Sequence, residues 1–307
     1  MEKEVYFMKC LFIINPSSGT KQIHKKLDKI MGQMILEQLV NHIDVFYTKK
    51  KDDAYHYALN LKENDYDFIV SVGGDGTVNE VIGGLIESQS HIPLALLPAG
   101  TVNDFANHFA LPHTPKAFTQ MIKDMIIHKV DVGKVNNQYF ANVIACGMFS
   151  DISFQVSKEE KTKFGPLAYY ATGIRQLPKQ LSTNMHLHII TDHDDFHEDA
   201  ALFMITNTSQ VGGIKGITPE ASTEDGLLDL LIIKKCSPTD MIAVIKDYTL
   251  NEHINSPFVK YVQSSHIKIE CDENLIYDID GEEGTSFPIE VSVQKQKLNL
   301  IIPTQKD

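Results

Sequence analysis

Cysteine is scarce in this chain. Its four residues, at positions 10, 146, 236 and 271, never approach a C-x-x-C spacing. That excludes a cysteine-based zinc arrangement, and the mostly apolar surroundings fit buried, reduced thiols of a cytosolic protein. No window approaches the roughly 18–20 apolar residues of a membrane span. The apolar stretch after the charged start Met1-Glu2-Lys3-Glu4 is too short for a signal peptide. The expectation is a cytoplasmic protein whose membrane contact, if it has one, is peripheral. Positive charge is also in short supply: 28 Lys and Arg stand against 40 Asp and Glu, for a net charge of −12. Such a balance weighs against nucleic acid as a partner and against purely electrostatic docking on anionic lipid. There is no low-complexity tract, internal repeat or flexible linker. Neither a GxxxxGK[ST] loop nor an HRD-type loop is present, which disfavours those ATPase and kinase classes.

A chain of 307 residues exceeds one ordinary core, so two closely packed domains are expected. Over residues 1–132 strand and helix signals alternate. Residues 10–14 (CLFII) form a run apolar on both faces, and 23–39 carry apolar residues at helical spacing. Strands follow at 43–47, 68–72 and 92–97, with helices at about 52–63, at 77–87 and after 101. This βαβα order predicts a mostly parallel sheet covered by helices. Ligands of such sheets bind beyond the carboxyl ends of the strands. From 133 to 307 short strand-like runs dominate (139–145, 185–190, 200–206, 227–233, 267–269, 275–279, 289–293 and 298–302). Helical patterns are confined mainly to about 167–177 and 239–250. That rhythm predicts an antiparallel β-sandwich, with the active site in the cleft between the two parts.

Three loops fall at the carboxyl edge of the first sheet. In Gly73-Gly74-Asp75-Gly76-Thr77-Val78-Asn79 the glycines let backbone N–H groups approach phosphate oxygens, and the following helix adds the positive end of its dipole. Asp75 is out of place beside phosphate unless it acts through a cation, which points to Mg²⁺. Asn15-Pro16-Ser17-Ser18-Gly19 follows the first strand, and Leu97-Pro98-Ala99-Gly100-Thr101-Val102-Asn103-Asp104-Phe105 follows the fourth. Each alone reads equally as a structural turn; together, on one edge, they form a nucleotide-binding floor. The segment Asp280-Gly281-Glu282-Glu283-Gly284, between two strands, is by itself ordinary hairpin chemistry.

In order and spacing these segments resemble the diacylglycerol kinase catalytic domain family, which includes sphingosine and ceramide kinases. Among its members the soluble bacterial diacylglycerol kinases are the most similar. The resemblance runs on through Lys129-Val130-Asp131-Val132-Gly133, the 164–170 segment FGPLAYY, Thr218-Pro219-Glu220-Ala221, Glu224-Asp225-Gly226-Leu227-Leu228-Asp229-Leu230 and Asp280-Gly281-Glu282. It implies an α/β N-terminal domain, NAD-kinase-like with helices on both faces of a parallel sheet, and a C-terminal sandwich carrying the catalytic base. It also implies ATP as co-substrate and Mg²⁺ as cofactor, with nucleotide contacts at Asn15, Pro16, Ser17, Ser18, Gly19, Thr48, Gly73, Gly74, Asp75, Gly76, Thr77, Val78, Asn79 and Thr101. Glu282 is implied as the base, with Asp75 beside it in the catalytic set. A structural magnesium position maps to Ser222, Asp225 and Leu227, with Asp131 joining through water. The implied acceptor is 1,2-diacylglycerol at a membrane surface, or another lipid alcohol such as a sphingoid base or a phosphatidylglycerol-like lipid. A catalytically silent nucleotide or lipid sensor is the non-enzymatic reading. A homodimer through the C-terminal sandwich is compatible with the family.

Two further clusters stand out. His186, His188, His193 and His197 lie among acids at 192–199, where a solvated hairpin loop is expected in preference to a metal site. Residues 157–180 carry five Lys or Arg against two Glu, interleaved with aromatics. This mixture suits either a peripheral membrane surface or an amphipathic helix packed on the sandwich.

Overall fold

The protein is described by a computed structural model that covers residues 8–18, 22–147 and 185–304. The basic, aromatic-bearing segment 157–180, the 164–170 stretch, the helix expected at 167–177 and Gly19 lie outside the described residues. The chain divides into two compact units, residues 1–131 with 296–307 and residues 132–295. The last twelve residues were expected in the second domain and instead belong to the first. The physical reason is strand pairing with the first unit's sheet.

In the first unit, β1 (Met8–Ile14), α1 (Gln22–Leu36), β2 (Val40–Tyr47), α2 (Asp53–Leu59), β3 (Phe68–Gly73), α3 (Asp75–Glu87), β4 (Leu94–Pro98), α4 (Asp104–His108) and α5 (Pro115–Asp124) follow in order. The strands lie in the order β4-β3-β1-β2, every pair parallel. β1, β3 and most of β4 are buried on both faces, as continuous apolar runs require. From β1 the chain steps outward to β2, then returns across β1 to β3 and continues to β4. Right-handed crossovers in opposite directions place helices on opposite faces. In agreement, α2 packs with α3 and α1 with α5. The strand order therefore reverses between β1 and β3, which makes that crevice the switch point of the sheet.

The second unit begins within β5 (Ile126–Val135) and ends within β17 (Ile289–Ile302). Between them lie β6 (Gln138–Phe140), β7 (Val143–Gly147), β8 (Met185–Thr191), β9 (Asp195–Thr206), β10 (Gln210–Val211), β11 (Ile214–Lys215), β12 (Leu228–Lys234), α6 (Pro238–Thr249), β13 (Val259–Ser264), β14 (His266–Cys271), β15 (Ile276–Ile279) and β16 (Glu282–Ser286). Among the described residues, β7, β8, β9, β12, β13, β14, β15 and β16 pair antiparallel with one another. The twelve-residue β9 is the hub, pairing β8 along its first half and β7 and β12 along its second. Alternating side chains of these strands feed two apolar clusters. One holds Phe140, Ile144, Phe203, Ile205, Leu230 and Tyr277. The other holds Val143, Leu202, Met204 and Leu231 under Met241 and Val244 of α6. The observed class is α/β followed by a mainly antiparallel β unit, as the alternation of periods implied.

Candidate active site

At the switch point the loops after β1, β3 and β4 are tied to one another. Asn15 donates from its backbone N–H to the Val72 carbonyl at 2.9 Å and from Nδ2 to Thr77 Oγ1 at 3.0 Å. Its own Oδ1 accepts the Ser17 N–H at 2.9 Å, which shapes the turn through Pro16, Ser17 and Ser18. The Ala99 N–H donates to the Gly73 carbonyl at 2.8 Å. Gly74 and Gly100 face each other closely: a Cβ at Gly100 would lie 2.6 Å from the Gly74 Cα. Only glycine permits this approach, so the second and third loops meet backbone to backbone. A Cβ at Gly73 would overlap the Thr77 side chain. Thr48 follows β2, is buried, and donates its N–H to the Ile14 carbonyl at 2.9 Å.

α3 starts at Asp75 with Gly74 as an extended N-cap that supplies no capping side chain. Helix geometry leaves the first N–H groups of α3 without intrahelical acceptors, and they lie at the positive end of its dipole. An anion placed there meets donors that cost nothing to organise. The helix begins two residues earlier than the sequence predicts, so Asp75 and Gly76 belong to its first turn and not to the preceding loop. Val78, like Thr77, is buried, and its N–H closes the first helical bond on the Gly74 carbonyl at 3.1 Å. Asn79 is partly buried and Thr101 is exposed.

Asp75 was singled out in the sequence; the importance of Asp104 was not. Burial, with the Asp104 carboxylate alongside, pushes the Asp75 carboxyl up to about 6, against the opposing pull of backbone N–H donors. One of these is the Asn103 N–H, 2.8 Å from Asp75 Oδ2. Asn103 holds a left-handed conformation, φ 54°, and its side chain closes on the N–H and carbonyl of Gly100, each at 2.8 Å. Two carboxylates crowded into a largely buried site form a place where a cation is electrostatically favoured. The available signal was Asp104 immediately before the apolar Phe105-Ala106 pair, an acid where the chain turns inward.

In the second unit, Asp280 (φ 50°) and Gly281 (φ 88°) form the two left-handed corners of a hairpin turn, with Ile279 of β15 opposite Glu282 of β16. An Asp-Gly pair is the favoured occupant of such a turn. The Asp280 carboxylate accepts the N–H groups of Ala141 (2.7 Å), Asn142 (3.0 Å) and Val143 (2.7 Å), fastening the turn to the start of β7. Glu282 is partly buried and Glu283 exposed; adjacent strand residues face opposite ways. Asp278, one strand over, accepts the Gly281 N–H through Oδ1 at 2.9 Å, while its buried Oδ2 has no hydrogen-bond partner. Burial, together with the nearby Glu282, pushes Asp278 up to about 6.

Ser222, Asp225 and Leu227 lie in the turn before β12. Asp225 Oδ1 accepts the Leu227 N–H at 2.9 Å, and the Asp225 carbonyl accepts from Lys295 Nζ at 3.0 Å. Four residues on, the fully buried Asp229 accepts from Tyr261 and Gln263 through Oδ1, while its Oδ2 has no partner. These donors are hard oxygens of the kind Mg²⁺ takes. Among the described residues, however, no three His, Cys, Asp or Glu side chains are grouped to hold a metal. Asp131, expected to join by water, accepts the Gln296 N–H at 2.6 Å. The histidine cluster is more ordered than a solvated loop. Only 192–194 forms the turn, and His188 sits between Asp195 (2.8 Å) and Glu270 (3.1 Å) while stacking on His197.

Residues 9–135 match the diacylglycerol kinase catalytic domain, and residues 142–302 match the YegS C-terminal NAD kinase beta sandwich-like domain. A diacylglycerol kinase of Bacillus subtilis (strain 168) is 32% identical over 296 residues, covering 96% of each chain. One of Staphylococcus haemolyticus (strain JCSC1435) is 31% identical, over 96% of this chain and 88% of its own. A crystal structure of a diacylglycerol kinase from Bacillus anthracis str. Sterne superimposes with a TM-score of 0.79 at 29% identity, over 96% of this chain and 97% of that one. By both domain matches and by relatives spanning nearly its whole length, the chain belongs to the diacylglycerol kinase family of lipid kinases.

Proposed function

We propose that this lipid kinase transfers the γ-phosphoryl group of ATP to the free hydroxyl of 1,2-diacylglycerol, giving phosphatidic acid. The observation that carries the nucleotide half is the joining of three glycine-containing loops at the switch point, with the N-terminus of α3 left without a side-chain cap from Gly74. In this reading the first unit binds ATP through Asn15–Ser18, Gly19, Thr48, Gly73–Asn79 and Thr101, and the second unit supplies the base. Glu282, set at the mouth of a turn that Asp280 fastens in place, accepts the proton of the acceptor hydroxyl as its oxygen attacks phosphorus. Asp75, with Asp104 at its side, would hold Mg²⁺ on the nucleotide phosphates, where the ion neutralises charge on the transferring group. Ser222, Asp225 and Leu227 are the proposed oxygen ligands of a second, structural ion. No helix among the described residues is long and apolar enough to cross a membrane. The acceptor would therefore be met by peripheral contact, with the protein resident in the cytoplasm.

The test is transfer of γ-labelled phosphate to a panel of lipid alcohols in mixed micelles: 1,2-diacylglycerol, a sphingoid base and phosphatidylglycerol. Diacylglycerol is expected to be labelled fastest, and Glu282→Gln and Asp75→Asn to lose about 10²-fold or more in kcat. Faster labelling of another lipid replaces the acceptor. ATP binding with no labelled lipid makes the chain a sensor. Wild-type rates in both variants remove these residues from the mechanism.

A further inference from the structure

Glu80 has no part in the site as described, yet three observations converge on it. First, α2 begins without a cap of its own: its N-cap residue, Asp52, is left-handed (φ 67°) and offers no side-chain hydrogen bond. Second, the missing acceptor comes from α3. Glu80 Oε1 accepts the Asp52 N–H at 3.0 Å and Oε2 accepts the Ala54 N–H at 3.1 Å. Third, one turn further along the same face, Gly84 lets the two helices close. A Cβ there would stand 2.5 Å from the Tyr55 carbonyl oxygen and 2.9 Å from the Leu59 nitrogen.

The N–H groups between β2 and α2 show what this arrangement holds. Thr48 N–H goes to Ile14, and Lys49 and Lys50 N–H both go to Asp53 Oδ2 at 2.7 and 3.0 Å. Asp52 and Ala54 go to Glu80. The loop that carries Thr48 and three consecutive lysines is thus fastened by two carboxylates. Only one of the two, Glu80, comes from the helix whose first turn is the glycine motif. We infer that Glu80 is a positioning residue for nucleotide binding: it fixes the loop after β2 against α3, so that Thr48 and Gly74–Thr77 keep one registry. The carboxylate suits this work better than a neutral amide, because it offers two acceptor oxygens to donors at a positive helix end.

The inference rests on the nucleotide reading of the loops and predicts an effect on affinity without one on chemistry. In Glu80→Ala, ADP affinity measured by calorimetry with Mg²⁺ should fall about tenfold, the worth of one helix cap in an equilibrium constant. KM for ATP should rise in parallel while kcat for lipid phosphorylation stays within about twofold. Glu80→Gln, keeping one acceptor oxygen, should fall between Glu80→Ala and wild type. A cap that serves stability alone would lower the melting temperature of Glu80→Ala and leave ADP affinity unchanged in the folded protein; that result overturns the inference. If Glu80→Ala does not fold, Glu80→Gln decides, and wild-type ADP affinity in it overturns the inference equally. Thr77→Val separates the two levels. Weakened ADP binding in Thr77→Val with wild-type binding in Glu80→Ala defeats the positioning role alone. Wild-type binding in Thr77→Val defeats the nucleotide reading beneath it.

Discussion

A carboxyl group held near 6 in the folded state costs stability at neutral pH. Asp75 is such a group, pushed up by burial and by Asp104. Because its folded pKa lies above the unfolded one, the native state binds the extra proton between about pH 4 and 6. The contribution of this group to stability is fully present below the unfolded pKa and is lost as pH rises through the folded value. Two pH units correspond to about 3 kcal/mol at most, an order-of-magnitude figure. Asp75→Asn should therefore melt higher than wild type at pH 7.5, gain little at pH 4, and be inactive as a kinase. Thermal melts at the two pH values, each with and without Mg²⁺, check this. Added Mg²⁺ should narrow the difference if the cation sits at this carboxylate. A variant that melts lower at pH 7.5 would show that the backbone bonds to Asp75 outweigh its desolvation. Strain of this kind is expected where function and stability compete for the same residue.

At the scale of elements, two glycines inside helices make opposite demands. A Cβ added at Gly32 in α1 would meet nothing within 4 Å, so Gly32→Ala should stabilise by about 0.5–1 kcal/mol through helix propensity. Gly84 in α3 would drive its Cβ into backbone atoms of α2, which cannot swing aside as a side chain can. There Gly84→Ala should destabilise by about 1–3 kcal/mol despite the same gain in propensity. Chemical denaturation of both variants tests the contrast, and equal shifts would refute it. This contrast also shows what a sequence reveals. β1 and β3 could be read from residues 10–14 and 68–72 because strands buried on both faces are apolar throughout. The Asp280-Gly281 turn could be read because few other pairs tolerate two left-handed corners. Glu80 and Asp104 could not be assigned, since Asp52 and Ala54 lie 28 and 26 residues from Glu80, and Asp75 lies far from Asp104 in the sequence, so these neighbours appear only when the chain packs. β13 escaped notice because its residues Lys260–Gln263 are only partly buried and give no clean alternation.

On the scale of the whole chain, the last strand shows how sequence order and structural membership part company. Residues 289–293 and 298–302 read as two strands because polar residues separate them, yet β17 is continuous, with a left-handed residue at Gln296 (φ 52°). Beyond that point it joins the nucleotide unit, where Leu300 pairs in parallel with Leu94 of β4. Leu298, Leu300, Ile301 and Ile302 are all buried there. At about 2 kcal/mol for each buried aliphatic side chain, their loss removes roughly 8 kcal/mol of burial. That is comparable to the whole stability of a domain, about 5–15 kcal/mol. Residues 1–131 alone should therefore lack a cooperative thermal transition. The Gln296 N–H donates to the Asp131 carboxylate at 2.6 Å, so the two cut ends of this unit lie side by side. A chain in which a short Gly-Ser linker joins Asp131 directly to Gln296 should regain cooperative melting and bind ADP without phosphorylating any lipid. Melting of 1–131 as cooperatively as the joined chain would show that the strand is dispensable. Lipid phosphorylation by the joined chain would place the catalytic base within the nucleotide unit instead of at Glu282.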